Sequence, residues 1–187
     1  MSLWTDIYKP KKISQLIGNK LQIKQARLWL QHFNKKIEGT KPALLLAGPP
    51  GIGKTTLATV LLNELKYDII EFNASDVRNQ KLIRENLKNI LGKQSISKLM
   101  GGNVKNGIIM DEVDGASSGD KGGISELVSL INPNKGKRKK EKKKINYTNP
   151  IICICNNDSE KKLSDLKKEC LYIKFYKPKK NELYSLG

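Results

Sequence analysis

The chain has 187 residues, is 38% hydrophobic and carries a formal net charge of +17, which allows one substantial domain with its own core. No apolar run is long enough to span a bilayer, and the first residues, Met1 to Asp6, lack a basic and then apolar leader pattern, so an intracellular protein with no membrane partner is expected. Cys153, Cys155 and Cys170 are too few for a disulfide framework and lack metal-ligand spacing, which leaves core packing as their expected role. The charge is nearly all lysine. It favours a polyanionic partner, nucleic acid first and an anionic membrane surface second, while biased codon usage in a chain rich in Lys, Asn and Ile is the competing explanation.

In chain order, Trp4 to Asn19 form an extended lead-in, with Pro10 favouring extension at Lys9. The apolar residues here make either a packing strap or one wall of an adenine pocket, and their pattern does not choose. Leu21 to Lys36 predict an amphipathic helix on Ile23, Ala26, Leu30 and Phe33, closed by Gly39.

Ala43 to Ala47 read as a buried strand. The turn Gly48-Pro49-Pro50-Gly51-Ile52-Gly53-Lys54-Thr55-Thr56 matches the phosphate-binding pattern G-x-x-x-x-G-K-[ST]. Gly51 and Gly53 can take positive φ, so the backbone can curl around a phosphate chain with its N–H groups inward. The helix starting near Lys54 adds unpaired N–H groups and the positive end of its dipole. Lys54 can reach the β- and γ-phosphates, and the Thr55 hydroxyl can complete an Mg²⁺ shell. A glycine turn that merely packs a helix on a strand has no need of Lys followed by Thr.

Tyr67 to Phe72 predict a second strand, Asn73 to Asp76 a turn and helix cap, and Asn79 to Leu91 a helix. Gly107 to Met110 form an apolar strand that ends in Asp111, Glu112 and Asp114. Ligands of open α/β sheets sit at that edge. Asp111 is placed to hold Mg²⁺ and Glu112 to orient and deprotonate an attacking water, with Asp114 more distant or at the surface. A helix spans Ile124 to Ile131. The run Lys135 to Lys144 cannot form a packed core. Pro150 to Cys155 is another buried strand, and Asn156 at its end lies level with Glu112. A last strand, Leu171 to Phe175, precedes a helix start near Asn181. Strands alternating with helices imply a mostly parallel sheet covered on both faces.

These boxes together resemble the large subunit of replication factor C, the AAA+ clamp loader that places a ring-shaped clamp on primer–template DNA. The resemblance rests on Trp4…Ile7-Tyr8-Lys9-Pro10, the phosphate loop, Phe72-Asn73-Ala74-Ser75-Asp76, Met110-Asp111-Glu112-Val113-Asp114-Gly115 and Pro150 to Asn156, in family order. It implies a P-loop NTPase (AAA+) three-layer α/β sandwich with five strands, residues 1–176 as the ATPase core, a basic insertion at about 133–147, and 177–187 as the start of a helical lid that is otherwise absent. It implies that Tyr8, Pro10, Ile17 and Gly18 flank the adenine, that Gly48 to Thr56 hold the phosphates, that Thr55 and Asp111 hold Mg²⁺, and that Lys54, Glu112 and Asn156 act on ATP. Where the small subunits carry a Ser-Arg-Cys motif this chain has Lys168-Glu169-Cys170, so it is expected, as large subunits do, to accept a neighbour's arginine without donating one.

The implied function is ATP-driven clamp loading in DNA replication, in the nucleus or wherever DNA is replicated. The implied partners are replication factor C small subunits, a PCNA-like sliding clamp and primer–template DNA. Turnover is expected only beside neighbouring subunits. The alternatives are a lidless remnant that binds nucleotide or DNA without hydrolysis, and another AAA+ repair or checkpoint loader. The Lys135–Lys144 run either contacts DNA phosphates, serves nuclear import or has no partner. If about four of its lysines engage DNA, log affinity falls against log salt with a slope near −4. Deleting the run should remove that slope in an anisotropy titration across salt, and an unchanged slope rejects the contact.

Overall fold

A computed structural model describes residues 8–74, 105–115, 122–134, 149–179 and 181–182. The predicted helix at 79–91, the cap at Ser75 and Asp76, residues Trp4 to Ile7 and the Lys135–Lys144 run lie outside the described residues. The elements are α1 (Lys20–Asn34), β1 (Ala43–Ala47), α2 (Lys54–Glu64), β2 (Tyr67–Asn73), β3 (Lys105–Asp111), α3 (Gly122–Ile131), β4 (Ile151–Cys155), α4 (Ser164–Glu169) and β5 (Cys170–Lys174). Short 3-10 turns lie at Ile13–Gln15 and Lys161–Leu163. The helix α4, which the sequence pattern did not predict, is held by burial of Leu163 and Leu166.

The five strands form one sheet in the order β2-β3-β4-β1-β5, and every pairing is parallel. Ala43 of β1 stands opposite Ile151 of β4 and Cys170 of β5, and Tyr67 of β2 opposite Lys105 of β3. Successive strand residues point to opposite faces, and each face has its own cover. Leu44, Leu46, Ile109, Ile152 and Ile154 pack with Ile23, Trp29 and Leu30 of α1 and with Leu57, Leu61 and Leu62 of α2. Leu45, Ile108, Met110, Cys153 and Cys155 pack with Ile124, Leu127, Val128 and Ile131 of α3 and with Leu166 of α4. Burying both faces is why β1 and β4 read as continuous apolar runs rather than alternating ones. Full burial of each large aliphatic side chain is worth about 1.5–3 kcal/mol.

The three cysteines are buried thiols. Burial chiefly pushes the Cys155 thiol up to about 12, and Cys153 is raised too, first by its hydrogen bond with Cys170. Neither is a thiolate at neutral pH, in keeping with a packing role.

Because the sheet is parallel, the C-terminal ends of all five strands share one edge. Where α2 packs on the face of the sheet the approach is tight: a Cβ on Gly107 of β3 would lie 2.6 Å from Cδ2 of Leu62, a fully buried side chain. Gly107→Ala should therefore cost about 1–3 kcal/mol in a urea unfolding titration, the usual penalty for overpacking. An unchanged midpoint would mean that Leu62 has another rotamer at hand.

Candidate nucleotide site

The loop from Gly48 to Gly53 joins β1 to α2 at the C-terminal edge of the sheet. Gly51 and Gly53 adopt φ of +74° and +86°, and a Cβ at either would meet nothing within 4 Å. Glycine is required there by conformation, and the space beside the backbone is open. Pro50 is exposed and Ile52 half-buried.

Lys54, the first residue of α2, is 5% exposed. Its ammonium donates to the Gly48 carbonyl at 2.7 Å, the Pro49 carbonyl at 2.8 Å and Asn156 Oδ1 at 2.9 Å. Burial lowers its pKa, and the negative charges of Asp111 and Asp114 pull the other way. The next residue reaches β3: Thr55 Oγ1 donates to Asp111 Oδ2 at 2.7 Å. The other oxygen, Asp111 Oδ1, takes the N–H of Glu112 at 2.8 Å. That bond supports an uncommon backbone, since Glu112 has φ +53°. A non-glycine residue in the left-handed region costs about 1–2 kcal/mol. The Glu112 carboxylate accepts from Asn73 Nδ2 at 3.1 Å.

Lys54, Thr55, Asp111, Glu112 and Asn156 are thus brought together by three neighbouring strand ends. Thr55 and Asp111 supply hard oxygen donors side by side, the donor set that suits Mg²⁺.

Beside the loop, a pocket is lined by Pro10, Leu16, Ile17, Thr56, Phe175 and Pro178, among others. Pro10 and Ile17 are brought there. Tyr8 is not among the lining residues and is 74% exposed. Gly18 has φ +68°, and a Cβ on it would meet Pro178 at 3.0 Å. Asn19, which also lines the pocket, is tied to the chain after β5 by two hydrogen bonds. Asn19 Nδ2 donates to the Tyr176 carbonyl at 2.8 Å, and the Tyr176 N–H donates to Asn19 Oδ1 at 2.9 Å.

Sequence reasoning missed Asn19, Phe175 and Pro178 at this pocket, and it read Asn73 as part of a turn. Asn73 carried a weak signal, being the polar residue at the end of an apolar strand. Nothing local marks Asn19, whose partner lies 157 positions away.

The family model for the ATPase family associated with various cellular activities (AAA) matches residues 44–176. The chain belongs to this AAA family. Membership implies nucleotide binding, and the matched span covers the phosphate loop, the acidic strand end and Asn156.

This AAA chain is 36% identical to replication factor C subunit 1 of Schizosaccharomyces pombe over 98% of its own length and 20% of that protein's. It is 37% identical to the replication factor C large subunit of Methanococcus aeolicus, over 91% of this chain and 32% of that one. For replication factor C subunit 1 of Homo sapiens the figures are 34%, 97% and 17%. The chain therefore spans about a sixth to a third of the length of these relatives. Among solved structures, the Thermotoga maritima RuvB Holliday junction branch migration motor superposes with a TM-score of 0.64 at 20% identity, over 96% of this chain and 52% of that one. Caenorhabditis elegans PCH-2 gives 0.59 at 19%, over 91% and 46%. At these identities the likeness is one of fold: the AAA α/β sandwich with its five-stranded parallel sheet.

The loop after Asn156 is fastened by Asp158. Its carboxylate accepts from the Tyr172 hydroxyl at 2.5 Å and lies 3.4 Å from the ammoniums of Lys167 and Lys174. The Tyr172 hydrogen bond chiefly holds its carboxyl down to about 2; partial burial opposes this, and Lys167 and Lys174 assist. A pKa lower in the folded than in the unfolded state gives stability that is present above about pH 4 and lost as pH falls to about 2. Asp158→Asn should thus be less stable than the parent at neutral pH, and the gap should close by about pH 2 in denaturant titrations across pH. A gap that stays constant would place the effect elsewhere.

Proposed function

We propose that this chain is the ATPase module of a clamp-loader large subunit, binding ATP with Mg²⁺ and hydrolysing it beside neighbouring subunits. The observation that carries the reading is the Thr55–Asp111 hydrogen bond at 2.7 Å. It ties the phosphate loop to the acidic strand end, which supports a centre shared by the two. The clamp-loader assignment is supported by relatives named replication factor C subunit 1 and replication factor C large subunit.

In this reading, the N–H groups of Gly51 to Thr56 and the start of α2 bind the phosphates. The Lys54 ammonium exchanges carbonyl partners for phosphate oxygens, which carry more negative charge. The Thr55 hydroxyl and the Asp111 carboxylate hold Mg²⁺. When bound, the metal draws charge from the phosphate oxygens. The Glu112 carboxylate takes the proton of the attacking water and is held by Asn73 until then. Asn156 orients the terminal phosphate through its amide while remaining beside Lys54. Pro10 and Ile17 flank the adenine, with Gly18 shaping the turn.

Residues 1–176 form the core with a basic insertion at about 133–147, and 177–187 begin the lid. The partners proposed are replication factor C small subunits, a PCNA-like clamp and primer–template DNA, and the proposed place of action is the nucleus or wherever DNA is replicated.

Lys54→Ala should weaken ATP binding by about tenfold or more, the loss of a charge-assisted contact. Glu112→Gln should leave binding nearly intact and slow single-turnover hydrolysis by about 10²–10⁴-fold, measured with partner subunits and DNA present. Unchanged ATP affinity in the first would refute the phosphate site. Retained turnover in the second would remove Glu112 from its role.

A further inference from the structure

We infer that Asp114 is a positioning residue that sets Asn156 against the terminal phosphate. The inference rests on the reading that a nucleoside triphosphate occupies this edge. Asp114 sits in the turn that follows β3, where the Gly115 N–H donates to the Glu112 carbonyl at 2.9 Å. From there its Oδ2 crosses to the end of β4 and accepts two backbone N–H groups, Asn157 at 2.9 Å and Asn156 at 3.2 Å.

The chain after β4 needs such a partner. It leaves the sheet without entering a helix, so its first N–H groups have no ladder to join. A carboxylate that takes both is the strong kind of acceptor, roughly twice as effective as a neutral one. With its N–H fixed on one side, Asn156 turns its Oδ1 to Lys54, which donates at 2.9 Å. The same loop is fastened one residue further on, where Asp158 is bound by Tyr172. Between these two anchors, Asn157 Oδ1 closes a turn by accepting the Ser159 N–H at 3.1 Å.

The acidic tail of β3 is therefore three tools on one short segment. Asp111 engages Thr55, Glu112 engages Asn73, and Asp114 fixes the neighbouring strand's asparagine. In the proposed function Glu112 handles the water and Asn156 the terminal phosphate, and the turn at 112–115 carries both Glu112 and the carboxylate that fixes Asn156. A shift in that turn moves them together.

The test uses the full chain and measures ATP and ADP affinities separately by titration calorimetry. Asp114→Ala should weaken ATP by about tenfold, the scale of a lost charged hydrogen bond, and leave ADP within about twofold. Asp114→Asn keeps an oxygen acceptor and should stay within about threefold of the parent. In an Asn156→Ala background, Asp114→Ala should add nothing, because its effect passes through Asn156. Equal losses for ATP and ADP, or a full effect in the Asn156→Ala background, would overturn the assignment. If Asp114→Ala does not fold, Asp114→Glu, which displaces the carboxylate by one methylene, should show the same selective loss of ATP. If the parent chain binds neither nucleotide, the proposed function itself fails. Amide exchange then decides the positioning role. The Asn156 and Asn157 amides should exchange at least about tenfold faster in the variant while Ile152 and Ile154 stay protected, and unchanged rates would reject it.

Discussion

The buried ammonium of Lys54 is the constraint on which the rest of this edge depends. A lone charge cannot be taken out of water without partners. Lys54 finds three oxygens, from Gly48, Pro49 and Asn156. Two come from the curl of its own loop, and the third comes from a strand a hundred residues later. Its pKa falls through burial and is held from falling further by the carboxylates of Asp111 and Asp114. Removing the acidic groups would leave the ammonium its three oxygen partners but take away the negative charge that opposes the effect of burial. Removing the cation would take a counter-charge from both carboxylates.

Strand order follows from that requirement. The phosphate loop leaves β1, Asn156 leaves β4, and Asp111 ends β3; these three strands are consecutive neighbours in the sheet. Parallel pairing puts all three exits at one edge, and the β1–β4 register aligns Ala47 with Cys155. The helix α2 must then lie at a fixed depth, because Thr55 on its first turn has to meet Asp111. The missing side chain at Gly107 admits Leu62 and sets that depth. One helix thus makes both the packing contact near the N-terminal end of β3 and the hydrogen bond at its C-terminal end.

Much of this was legible in the residue order, for physical reasons. The phosphate loop is local, and its glycines, lysine and threonine act within a few residues of one another. The strands are buried on both faces, so their apolar runs stand out, and β1 and β4 were read to within a residue. The acidic tail of β3 was visible as charge at the end of an apolar strand. Other features were not legible. The short helix α4 has too few residues for a periodic signal. Asn73, Asn19 and Asp114 look like ordinary turn residues, since each is defined by a partner far along the chain. Tyr8 shows the converse: an aromatic in a matching box, yet 74% exposed and off the pocket wall.

The sequence by itself determined that the chain alternates strands and helices, that its first loop is built for phosphate, and that acidic groups end a later strand. Those properties live in spacing and composition, which need no third dimension. Only the tertiary structure decided which groups meet: Thr55 with Asp111, Lys54 with Asn156, Glu112 with Asn73, and Asp114 with the backbone of Asn156 and Asn157. Hydrogen bonds act over about 3 Å, and residues forty to a hundred positions apart reach that range only after the sheet has chosen the order and register of its strands.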